Sequence, residues 1–237
     1  MYQLKSNKRK YLDYNVSSLK NDKKQKKVVK EEDIEDIEDG ANLLDALGMA
    51  AGSNSTKEKN KKIERDANHI YFYSEVNRDS IYDLTVLINE IEEENKALAF
   101  KMKLDDIPIY LHINSYGGCV FSAFNIIDVI ESCSVPIYSI IEGCAASAGT
   151  LMSVVCHKKF IRKNSYMLIH QLSSGCWGKM CEIEDEVENL TDFMDKIRQI
   201  YTDNTKIPRK ELNELLKHDL WLNSDKCLKY SLADDIM

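Results

Sequence analysis

From Ile63 onward, short apolar runs alternate with longer amphipathic ones. The segments "HIYFYSEV" (69–76), "IPIYLHINS" (107–115) and "VPIYSIIEG" (135–143) are rich in β-branched and aromatic residues and predict strands. Between them, "SIYDLTVLINEIEEENKAL" (80–98) and "FSAFNIIDVIES" (121–132) repeat apolar positions every three to four residues and predict helices. A third helix opens near Ser147. "FIRKN" and "YMLIH" follow, the latter a strand that ends on His170. A long helix then carries Ile183, Val187, Leu190, Met194, Ile197 and Tyr201 in one stripe flanked by charge. That stripe suits a helix lying on a core, and equally a projecting arm that pairs with a copy of itself. Strands alternating with helices of this length imply an α/β fold of parallel βα units with right-handed crossovers.

Residues 1–62 read differently. The first thirty hold ten Lys or Arg against two acids, including "KRK" and "KKQKK", and the acidic block "EEDIEDIEDG" follows. Runs of like charge repel and bury little, so a disordered charged tail or propeptide is expected over 1–62, ahead of one domain over 63–237. The basic clusters suit a nuclear signal or nucleic acid, and "ANLLDALGMAA" suits a short helix docking on a partner. The net charge of −7 argues against a nucleic-acid protein as a whole.

All seven cysteines fall between Cys119 and Cys227 without a Cys-x-x-Cys pair, as expected of unpaired thiols in a reducing compartment and not of a metal site. No apolar run reaches the roughly eighteen residues of a membrane span, and the lysine-bearing start has no apolar h-region. A soluble, cytoplasmic protein is the expectation.

"EGCAASAGTLMSV" (142–154) surrounds one hydroxyl, Ser147, with the smallest residues. Small residues let elements pack closely. They also leave a nucleophile reachable by a substrate carbonyl. In a parallel sheet, chemistry gathers at the carboxyl ends of strands, and three such ends carry suggestive groups. One runs into Tyr116-Gly117-Gly118, one into Ser147, and one ends on His170. A Gly-Gly turn and the first turn of a helix both offer free amides. Together they could cradle an oxyanion while Ser147 attacks and His170 takes its proton. The G-x-S-x-G elbow is not met, because Ala145 stands two residues before Ser147.

In order, "HINSYGG", "GCAASAGTLM", "NSYMLIHQ" and "HDLWLNSDKCLKYSLADDI" resemble the signature blocks of Clp protease proteolytic subunits, from about Asn68 to Met237. The resemblance implies a serine endopeptidase with Ser147 as nucleophile, His170 as base and Asp219 as acid. Gly118 and Ala148 would supply the oxyanion amides. It implies a ββα superhelix shared with the crotonases, and a projecting strand–helix handle formed by "SSGCWGK" and the long helix. Through that handle, heptameric rings would stack in pairs around a chamber. Gly175 and Gly178 in the handle strand would let a peptide lie alongside as an added strand.

An AAA+ unfoldase is the implied partner, unfolded protein or peptide the substrate, and no cofactor, metal or membrane is implied. Tyr116 and Leu172 replace prolines of the family, and His218 replaces an arginine often found before the acid. Tyr110 and His112 fall where the family's unfoldase-docking cleft has aromatics. Residues 1–62 match neither its axial hairpin nor its first helix. The alternatives are a non-catalytic ring subunit, a crotonase-type acyl-CoA enzyme, and a viral or phage maturation protease, which would act in the virion or host cytoplasm.

Overall fold

A computed structural model of the chain describes residues 63–237. The expected tail or propeptide and its candidate docking helix lie outside the described residues. The domain opens on β1 (Ile63–Asp66) and β2 (His69–Phe72), an antiparallel pair. Helix α1 (Arg78–Met102) starts where the Asn77 side chain accepts from the Ser80 N–H at 2.9 Å and Ser80 Oγ accepts from the Asn77 N–H at 3.0 Å. This reciprocal box satisfies two donors that the first turn would leave orphaned. The helix ends at Lys103 in a left-handed conformation. Its buried face presents Ile81, Leu84, Ile88 and Ile91 to the core.

The chain then passes through β3 (Ile109–Ser115), α2 (Val120–Ser132), β4 (Ile137–Ala146), α3 (Ala148–Val154), β5 (Lys158–Ile161) and β6 (Tyr166–Leu168). It continues through α4 (Met180–Asn204), α5 (Arg209–Leu215), β7 (Trp221–Asn223), α6 (Ser224–Lys229) and β8 (Asp235–Ile236). The sheet runs β1-β2-β3-β4-β5-β8, with β6 paired to β4 and β7 paired to β6. Pairing from β2 to β5 is parallel, as the alternating pattern predicts, whereas β1–β2 and β6–β7 are antiparallel. Ile126, Ile127 and Ile130 of α2 join Ile109, Leu111 and Ile113 of β3 in the core. Each such side chain withdraws apolar area worth about 1.5–3 kcal/mol.

Strand β4 changes partner along its length. Tyr138–Ile141 pairs with β5, and Cys144–Ala146 pairs with β6. Gly143 lies at the switch with φ 72°, a backbone that other residues rarely adopt. This switch creates a second, smaller panel of sheet, and the candidate chemistry sits on it.

The stripe of helix α4 divides along its length. Met194, Ile197, Ile200 and Tyr201 are buried on the core, while Met180 and Val187 are exposed on the half that leads away from it. The expected handle strand over "SSGCWGK" forms no strand pairing among the described residues. Two glycines weaken it intrinsically, and among the described residues none pairs with it to supply a ladder. Among the described residues, no helix is long and apolar enough to cross a membrane.

On β3, His112 is 4% exposed and stacks on Tyr71, with ring centroids 4.4 Å apart. Its Nε2 lies 2.9 Å from Nδ1 of His69, and its Nδ1 is 3.1 Å from a carboxylate oxygen of Glu142. That carboxylate also accepts from Arg162 and Tyr73. Burial pulls the His112 pKa below its ordinary value; Glu142 opposes the shift, and His69 and Arg162 add to it. The unfolded chain therefore takes up this proton more readily than the folded one. The stabilisation is whole above a pH of about 6.5 and is lost as pH falls from there toward the depressed folded value. Thermal melts between about pH 7.5 and 5.5 should show a falling Tm, and His112→Phe should remove part of that slope. Parallel slopes for the two proteins would contradict the assignment.

Candidate active site

Ser147 follows the last residue of β4 and immediately precedes α3, with φ 52° and ψ −124°. A non-glycine residue in this region is strained and persists only where its surroundings over-determine it. Here the Ser147 N–H donates to the Leu168 carbonyl at 2.8 Å, which continues the β4–β6 pairing by one residue. The Ser147 carbonyl accepts from the Thr150 N–H at 2.9 Å and from Thr150 Oγ1 at 2.7 Å. The side chain makes no cap hydrogen bond to the helix it precedes, so its hydroxyl is left for other work.

His170 comes two residues after β6. Asp219 comes two residues before β7, and the two strands pair antiparallel with Leu168 opposite Trp221. Extending that register by two residues sets His170 opposite Asp219. Nδ1 of the imidazole lies 3.3 Å from the carboxylate, the histidine side chain 27% exposed and that of the aspartate 78%. Ser147 and His170 line one small cleft, with Val120, Leu151, Leu172 and Ile197 as its apolar wall. Among the described residues, no hydrogen bond joins the Ser147 hydroxyl to the imidazole.

The glycine turn closes the cleft. Gly117 has φ 93° and Gly118 φ 147°. A Cβ on Gly117 would come within 2.7 Å of Ser147 Cβ and 3.1 Å of the Ala148 nitrogen; one on Gly118 would meet the Val76 carbonyl at 2.3 Å. Only glycine lets the backbone approach the serine this closely. The turn is pinned by the Val76 N–H donating to the Gly117 carbonyl (2.8 Å) and the Cys119 N–H to the Val76 carbonyl (2.7 Å). The N–H groups of Gly118 and Ala148 have no acceptor among the described residues. Both residues line the cleft.

The structure thus brings together Ser147, His170, Asp219, Gly118 and Ala148. Gly175 and Gly178 lie elsewhere, on the exposed stretch leading to α4. A Cβ on Gly175 would meet nothing within 4 Å, and one on Gly178 would meet only the Glu182 side chain. Tyr116, at the place of a family proline, is 78% exposed and packs edge-on to Trp221 at 6.5 Å. One residue at the site escapes a reading of the sequence for chemistry, Thr150. Its signal is its position three residues after Ser147, where a hydroxyl reaches back to a turn carbonyl.

The family model for Clp protease matches residues 64–237. The chain is 34% identical over 131 residues to the ATP-dependent Clp protease proteolytic subunit 2 of Treponema denticola, covering 54% of this chain and 66% of that one. It is 31% identical over 173 residues to the ATP-dependent Clp protease proteolytic subunit of Streptococcus mutans, covering 70% and 88% respectively. The match thus spans just under two thirds of the Treponema subunit. Among solved structures, a ClpP1 variant from Listeria monocytogenes superposes with a TM-score of 0.59 at 23% identity, over 69% of this chain and 86% of that one.

Proposed function

Because the chain belongs to the Clp protease family, we propose that it is a serine endopeptidase that hydrolyses peptide bonds. The observation that carries this reading is the strained Ser147, set beside a glycine turn, with the unpaired amides of Gly118 and Ala148 in the cleft that His170 also lines. Ser147 Oγ attacks the substrate carbonyl, and His170 accepts its proton and returns it to the leaving amine. Asp219 holds the imidazole with Nδ1 protonated and stabilises the imidazolium. The Gly118 and Ala148 N–H groups receive the oxyanion. Incubation with a fluorophosphonate should modify Ser147, located by mass spectrometry, in the same preparation that cleaves an unstructured peptide. A protein inert in both assays would be a ring subunit without catalysis.

The active form in this reading is a homo-oligomer of rings whose α4 halves meet. Support comes from Trp177, which is 95% exposed, and from Met180 and Val187, which are also exposed on the projecting half. Gly175 and Gly178 then border the path of a bound peptide, and an AAA+ unfoldase delivers the substrate. Val187→Glu with Leu190→Glu should split the assembly and lower activity at least tenfold, though neither residue reaches the cleft. Met194 is the wrong probe, because it is 9% exposed and its sulfur accepts from the Leu172 N–H at 3.2 Å, so charge there would damage the core. Light scattering decides, and an intact active assembly carrying both charges would overturn the role given to α4.

A further inference from the structure

Thr150 joins Ser147 to a residue far along the chain. Its Oγ1 donates to the Ser147 carbonyl at 2.7 Å and lies 2.5 Å from the Tyr201 hydroxyl. A threonine has one hydroxyl proton. With that proton on the Ser147 carbonyl, the Tyr201 O–H is the donor to Thr150. Both residues are buried, Thr150 at 0% and Tyr201 at 1% exposure, so no solvent competes. Burial also pushes the Tyr201 phenol well above its ordinary pKa and keeps its proton in place. The result is a directed chain in which each bond polarises the next. It runs from the buried root of α4, through α3, to the backbone of Ser147.

We propose that Tyr201, acting through Thr150, is a positioning residue that aims the oxyanion donor. The Ser147–Ala148 peptide is planar and trans, so its C=O and N–H point in opposite directions. Fixing the oxygen on Thr150 fixes the opposite direction for the Ala148 N–H, whose nitrogen lies beside the glycine turn, 3.1 Å from where a Cβ on Gly117 would stand. Ser147 at φ 52° has an incentive to relax, and rotation of this one peptide would relieve it. Such a rotation would turn the Ala148 N–H out of the cleft while leaving the serine hydroxyl in reach. A leucine or phenylalanine at 201 would fill the same space without donating, so the informative atom is the oxygen. The inference rests on reading Ser147 as nucleophile and Ala148 as oxyanion donor.

Tyr201→Phe keeps the ring and deletes the donor. It should lower kcat for a peptide, and the rate of fluorophosphonate labelling, by about three- to tenfold, the worth of one net hydrogen bond. KM should stay within about twofold, because the loss falls on the transition state. Thr150→Val should behave alike, Thr150→Ser should restore the rate, and the Thr150→Val/Tyr201→Phe double variant should cost little more than either single change. Amide exchange supplies a readout independent of chemistry, since the Thr150 N–H shares the Ser147 carbonyl and should exchange faster in Tyr201→Phe with the rest of the domain unchanged. Failure of the parent to label would sink Ser147 as nucleophile and leave the anchor to be decided by exchange. Parent-like labelling in Tyr201→Phe, equal losses in Thr150→Ser and Thr150→Val, or unchanged Thr150 exchange would each overturn the proposal.

Discussion

A Ser147→Ala variant is expected to fold and assemble like the parent and to lose peptide hydrolysis by a factor of about 10⁴–10⁶. The structure explains why the two halves of that expectation separate. The bonds that hold residue 147 come from its main chain, through Leu168 and Thr150, and the side chain caps nothing. Alanine retains the Cβ and pays the same strain at positive φ, so the glycine turn keeps its neighbour. Only the hydroxyl goes. Circular dichroism, a thermal melt and a peptidase assay on one preparation would test this, and residual activity within tenfold of the parent would remove Ser147 from its role.

Asp219→Asn should cost on the order of 10⁴ in kcat with little change in Tm. The carboxylate is 78% exposed and, among the described residues, pairs only with the imidazole, so the described fold has little stake in its charge. An amide of the same shape can present its N–H to Nδ1, which selects the tautomer that cannot accept a proton from Ser147. Added to Ser147→Ala, the change should be nearly silent, since the groups act as a unit. Near-normal turnover in Asp219→Asn would mean that another acid orients His170.

The elements that carry their own pattern were legible, and those defined by a partner were not. Helices α1 and α2 each bury one apolar face, and β2 and β3 are β-branched or aromatic runs, so local sequence and tertiary burial agree. By contrast, Cys144–Ala146 are small residues with no strand signature, and they are extended because β6 pairs with them. The charged segment Ile63–Asp66 is a strand because β2 lies beside it, with Arg65 further tied to Glu94 on α1. Likewise β7 and β8, three and two residues long, exist only as partners of β6 and β5.

The same divide runs through the site. Ser147, His170 and the glycine turn announce themselves as polar or small groups at strand ends. Nothing local marks Asp219, which the resemblance supplied and which strand register carries to the imidazole. In sequence Tyr201 is one apolar tooth of a helical stripe, and its hydroxyl partner stands 51 residues earlier. Periodicity reports which face is buried and is silent about which buried atoms meet.

The pairing of β6 with β7 works as a parity device. His170 and Asp219 each lie two positions beyond the paired residues Leu168 and Trp221, so they face one another only while the register holds. A slip of one residue would send alternate side chains to opposite faces and disarm the pair, even with every hydrophobic contact elsewhere intact. The long excursion between the two strands, including the tip of α4, does not enter that count. Residues can be gained or lost on the exposed stretch before α4 without shifting the acid, whereas a single insertion between Asp219 and Trp221 cannot be absorbed. The register of the pair is indifferent to the length of that stretch, and sensitive to every residue flanking the short strand.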